Sequence, residues 1–255
     1  MKKHILLFIL MFFTMASVQF SACSSDEDEA ADVVASLCTD TPTNTPTNDY
    51  MVVAQAFGGM QGCGVVMISK DGENVVDAEV KMGNSTFTYD EMMGYTGMIA
   101  ATDGAEMELE VTHNGTLIAS GKTCIPSSPT ITNIDSGDVH QKNTALEVQW
   151  NSVENATVIE VTMTDPMGDE DHNSGFLDPT ATTYTIPAAW FDISSSWGGY
   201  AECEITVTAV NGISMENEDA LGSDSLAIGV NIEGASGVFI AANADETTVV
   251  VPLDD

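Results

Sequence analysis

Glu106-Met107-Glu108-Leu109-Glu110-Val111-Thr112-His113, then Asn114-Gly115, then Thr116-Leu117-Ile118-Ala119, is the most informative stretch of this chain. Apolar side chains at every second position line one face of a strand and leave the acids on the other. An Asn-Gly pair accepts the positive φ angles of a type I′ turn, so the two runs read as a hairpin. The same period of two recurs where Val76, Ala78, Val80 and Met82 alternate with Asp77, Glu79 and Lys81. With Gly64-Val65-Val66-Met67-Ile68 and Phe87-Thr88-Tyr89 added, residues 50–126 read as a small β-sandwich without helical period.

Pro126-Ser127-Ser128-Pro129 marks a boundary, since paired prolines with serines favour an extended connector. Beyond it come Leu146-Glu147-Val148-Gln149-Trp150, then Ala156-Thr157 leading into Ile159, Val161 and Met163. Thr183-Tyr184-Thr185-Ile186-Pro187 and Ile205-Thr206-Val207-Thr208-Ala209-Val210-Asn211 follow. Together these resemble a fibronectin type III domain over most of residues 129–232, which implies a second sandwich with Trp150 in its core. Cys203 stands where that family usually has tyrosine; it shares the parity of the inward Ile205, Val207 and Ala209, so a buried thiol is expected. The chain also runs on from Glu233 to Asp255, where Val238-Phe239-Ile240 and Thr247-Thr248-Val249-Val250-Val251 are expected to add an edge hairpin. Residues 50–126 loosely resemble Ig-like and carboxypeptidase-regulatory-like modules. The expected architecture is all-β, with two tandem sandwiches at 50–126 and 129–255.

Before the first sandwich the composition changes twice. Lys2 and Lys3, the apolar run Ile5 to Phe13 and the small residues Ala16, Ser17, Ser21 and Ala22 form a secretory signal. Its core is shorter than the roughly 20 apolar residues of a membrane-spanning helix. Phe20-Ser21-Ala22-Cys23 resembles the lipobox of bacterial lipoproteins, with Phe20 where that family prefers leucine. The resemblance implies removal of residues 1–22 and lipidation of Cys23; the alternative is an ordinary signal peptide cut at another bond. Residues 23–49 carry Asp26-Glu27-Asp28-Glu29 and a Thr/Pro/Asn tract, too little apolar surface to offset the entropy of ordering, and so read as a disordered tether. The acidic start resembles export signals of some lipoproteins of the Bacteroidota; a solvated spacer is the other reading. Ser24 is not the aspartate that resembles an inner-membrane retention signal, so the expected place is the outer membrane, periplasm-facing or on the cell surface.

Charge excludes one class of partner. Without residues 1–22, four lysines remain against 39 acids, a net charge of −35. Binding a phosphate backbone requires Lys or Arg to displace condensed counterions, so nucleic acid is not a partner. Cys38, Cys63, Cys124 and Cys203 allow three fully paired connectivities once Cys23 is set aside. The preferred bridge joins Cys63 to Cys124, closing a loop of about 60 residues for roughly 4 kcal/mol on the entropy model.

A reaction centre is not legible. Beyond the signal, His113, His140 and His172 stand far apart, without the spacing of metal ligands or a catalytic triad, and read as surface residues. Asp165, Asp169 and Asp171 form an acidic loop from which calcium could take several oxygens, but solvated acids are the plainer reading. Met92, Met93 and Met98 offer thioethers to copper(I), against the plainer reading of core filling. Trp190, Trp197 and Tyr200 lie in the long connection before the sixth strand of the second sandwich, as a carbohydrate platform or as packing of the sandwich end. The expectation is a non-enzymatic lipoprotein, a structural or adhesive module tethered to a membrane through its lipid, with protein or polysaccharide partners at the envelope. A polysaccharide-binding accessory module is the first alternative, and a hydrolase using paired acids the second.

Overall fold

Alternation becomes pairing in the expected hairpin. It consists of β8 (Glu106–His113) and β9 (Thr116–Cys124), joined at Asn114 and Gly115 with φ of 52° and 73°. Met107, Leu109 and Val111 turn inward and are buried, while Glu106, Glu108 and Glu110 are exposed. The computed structural model that shows this describes residues 48–59, 62–164, 171–193, 199–212 and 231–253.

Three sheets hold the described residues. The hairpin extends through β4 (Glu79–Met82) and β5 (Ser85–Thr86) on one side and β16 (Ile232–Glu233) on the other, giving the order β16-β9-β8-β4-β5. Facing it is part of a ten-stranded sheet that contains β1 (Tyr50–Phe57), β2 (Cys63–Lys70), β3 (Glu73–Asn74), β6 (Thr88–Asp90) and β7 (Gly94–Met98). The same sheet continues through β10 (Asp138–Val139), β12 (Val158–Thr164), β13 (Asp171–Asn173), β15 (Tyr200–Asn211) and β17 (Ser236–Pro252). Its main order is β13-β12-β15-β17-β1-β2-β7-β6. A two-stranded layer, β11 (Leu146–Gln149) with β14 (Thr183–Ile186), faces the second half. One 3₁₀ turn, Ala188–Phe191, is the helical element among the described residues.

β17 joins the halves. The expected edge hairpin from Val238 to Val251 is instead part of one continuous strand of 17 residues. Its first part pairs parallel with β1, Met51 to Phe57 against Ser236 to Ala242, and from Ala241 to Pro252 it pairs antiparallel with β15. Beyond the boundary expected at Pro126–Pro129, residues 232–242 return to the first sandwich. Ile232, Ala235, Phe239 and Ala241 belong to its core, beside Val52, Val66 and Leu109. Gly237 permits this return: its φ is 143°, and a Cβ there would sit 1.7 Å from Val52 O.

The second core meets expectation at Trp150, 3% exposed, and at Cys203, fully buried among Ile205, Val207 and Met163. The expected bridge between Cys63 and Cys124 is not formed: Cys124 is disulfide-bonded, and Cys63 is not its partner. Register explains the difference. Cys63 pairs with Phe57 and lies on the face of the large sheet turned away from the first core, with Val53 and Met67. Cys124 pairs with Glu106 and so lies on the outer face of the opposite sheet. Two side chains on opposite outsides of a sandwich whose layers pack about 10 Å apart cannot reach the 2 Å or so of a disulfide. Met92 and Met98, expected in the core, are exposed, Met92 at the turn between β6 and β7.

Candidate functional site

Strand parity decides whether the expected aromatic platform exists. In β15, Ala201, Cys203 and Ile205 face the second core, so Tyr200 and Glu202 face the opposite, outer side of the large sheet. Trp190 belongs to the other side. It follows Pro187 in the 3₁₀ turn, packs half-buried against the second core, and stacks on His172 with ring centroids 5.2 Å apart and planes at 12°. His172 pairs with the inward Met163, which places the stack at the core-side edge of β13. Tyr184 leans on the same indole at 6.0 Å. Trp190 and Tyr200 therefore do not form one platform, and one face of the indole is occupied by imidazole. Trp197 lies outside the described residues.

What the outer face offers instead is a short apolar row at the C-terminal end of β17. Val139 pairs with Val250, Val250 with Glu202, and Pro252 with Tyr200, so these side chains share one face. Val139 is 72% and Tyr200 65% exposed. Acids flank the row. Burial, and then the charge of Glu246, push the Glu204 carboxyl above its usual range. Farther along the face Glu160, 5% exposed, is also pushed up by burial, opposed by the hydrogen bond that Asn173 Nδ2 donates to it. This surface can offer an aromatic ring, aliphatic contacts and carboxylates to a partner.

The three expected surface histidines are instead half-buried, each against a ring: His113 by Tyr50, His140 by Phe191 and His172 by Trp190. His113 lies in a hydroxyl–imidazole–carboxylate run, with Tyr50 Oη 2.7 Å from Nδ1 and Asp77 Oδ1 2.9 Å from Nε2. Its hydroxyl is the phenol of Tyr50. The run fixes the start of β1, where Asn48 also donates to the Ile118 carbonyl, and where the ring of Tyr50 lies under Lys70 Nζ at 4.9 Å. At His140, Nε2 lies 3.0 Å from the Thr144 carbonyl and 3.1 Å from the Thr144 hydroxyl, which also donates to the Gln141 carbonyl.

For metals, Asp165 and Asp169 lie outside the described residues, as does the side chain of Asp171, whose backbone opens β13. Among the described residues no group of three or more His, Cys, Asp or Glu could hold an ion. Cys23 and Cys38 are also outside them. Lys122 is held between Glu106 Oε1 at 3.0 Å and Glu108 Oε1 at 2.6 Å, an exposed cluster that raises the lysine's affinity for its proton.

No family model matches the chain, and no curated protein does. Among solved structures it is similar to fibronectin(III)-like modules of Clostridium thermocellum CbhA, at 14% identity over 84% of this chain and 93% of that one, with a TM-score of 0.26. A two-domain fibronectin type III segment of chicken tenascin follows at 10% identity, covering 69% of this chain and 91% of the other, TM-score 0.25. The IG1+IG2 pair of DIP-gamma is 9% identical over 82% of this chain and the whole of that chain, TM-score 0.22. The all-β sandwich assignment itself rests on the strand pairing described above.

Proposed function

We propose that this chain is an outer-membrane lipoprotein, periplasm-facing or on the cell surface, whose joined β-sandwiches act as a structural or adhesive binding module without enzymatic activity. The observation that carries this reading is the order of the N-terminal segments: a signal ending in Ser21-Ala22-Cys23, an acidic Thr/Pro-rich tether, and a fold that begins at Tyr50. Cleavage before Cys23 leaves the thiol to carry lipid. A single acyl chain binds a membrane only marginally, so the anchor requires more than one. Cys23→Ala should move the exported protein from the detergent phase to the aqueous phase on phase separation. Equal partition of mutant and parent would refute the anchor.

A polysaccharide-binding role is the second reading, and the exposed ring of Tyr200 favours it. Sugar rings stack on such faces while neighbouring carboxylates accept their hydroxyls. A glycan array signal lost in Tyr200→Ala would establish it. An array blank for the parent protein would leave the structural or adhesive role alone.

A further inference from the structure

We infer that the two sandwiches fold and unfold as a single cooperative unit closed by the C-terminal strand, so that neither exists as a stable domain while the other is open. Tandem modules ordinarily meet at small, polar interfaces and open independently. Here β17 lines three apolar clusters in turn. Phe239 and Ala241 complete the first core, and Val249 and Val251 complete the second. Val238, Ile240 and Ala242 build a third cluster with Val53 and Phe57 from the first half and Val158 and Val210 from the second. That seam exists only when both halves are in place.

Polar groups at the seam are tied across it as well. Asp103 of the first half accepts from the Ser128 backbone N–H at 2.9 Å and from Asn243 Nδ2 at 2.8 Å. Asn243, 2% exposed, also donates to the Pro126 carbonyl. Asp245 on β17 accepts from the Ile131 N–H at 2.7 Å. Opening either sandwich strands the buried Asn243 amide and uncovers the seam cluster, so the cost of one opening includes part of the other. The first sandwich also stays unfinished until the last 20 or so residues of the chain are available.

The tryptophans make the test direct, because all three fall between residues 150 and 197, in the second half. Leu109, 1% exposed on β8, packs only in the first core. Leu109→Ala should raise the unfolding constant by roughly a hundredfold or more. Under the inference, the urea midpoint read by tryptophan emission falls together with the midpoint read by exchange of the β4 and β8 amides. An unmoved tryptophan midpoint beside weakened β8 amides would overturn it. Should that variant fail to fold, Ile118→Val makes the same comparison more gently. In the parent chain the two probes should trace one transition, and two separated transitions would equally refute the coupling.

Discussion

Glu160 shows how one side chain sets a response to pH. It lies on the outer face of β12, almost fully buried, and its carboxyl is pushed up chiefly by that burial. A group whose folded-state pKa is raised binds more protons in the folded chain than in the unfolded one, between the unfolded and folded values. Its contribution is therefore fully present below the ordinary glutamate range and is lost as pH rises through the raised value. Glu204 shifts in the same direction. Glu160→Gln keeps an acceptor for Asn173 and removes the titration. Thermal melts at a series of pH values should find the variant more stable than the parent at neutral pH and the difference closing in acid; a constant difference would show that Glu160 does not titrate there. Cysteine pairing is the second residue-scale case. Cys63 opens β2 and Cys124 ends β9, but their faces depend on which strand lies opposite, which local alternation does not carry. Non-reducing peptide mapping should recover Cys124 joined to Cys38 if Cys23 carries lipid, and recovery of a Cys63–Cys124 peptide would contradict the register described here.

Among the elements, β17 concentrates the most structure in the fewest residues. Phe239 is fully buried in the first core, and truncation of such a ring costs about 3–5 kcal/mol, so Phe239→Ala should lower the urea midpoint accordingly. Gly237→Ala should destabilise as well, since the added Cβ meets the Val52 carbonyl rather than a movable side chain. A variant as stable as the parent would show that β17 need not approach β1 so closely. The strands themselves were legible: alternation at Met107, Leu109 and Val111, the Asn114-Gly115 turn, and the inward parity of Cys203 all reappear in the fold. The parallel pairing of Met51 with Ser236 was not, because it joins segments 185 residues apart and leaves no local periodic signal. For the same reason Val238-Phe239-Ile240 read as half of a hairpin. Tyr200, expected in a connection, opens β15, and Trp190 is separated from it by strand parity and by an imidazole that proximity in sequence did not reveal.

At the scale of the whole molecule, charge outweighs any single contact. Over the whole chain six lysines face 39 acids, and one of the six, Lys122, is already engaged by Glu106 and Glu108. Self-repulsion among exposed carboxylates opposes the compact state, and salt relieves it because the Debye length falls from about 30 Å at 0.01 M to about 3 Å at 1 M. Sodium chloride should therefore raise the melting temperature steadily over that range. For a chain of this size each kcal/mol gained moves the midpoint by about 2–4 °C. Calcium separates screening from binding. A site involving Asp165, Asp169 and Asp171 would stabilise by mass action on the folded state, beyond the effect of ionic strength. The expected result is that millimolar calcium and sodium chloride of equal ionic strength give the same melting curve, with the acids acting as a solvated, repelling surface. An additional rise with calcium, lost in Asp169→Asn, would instead make that loop a cation site.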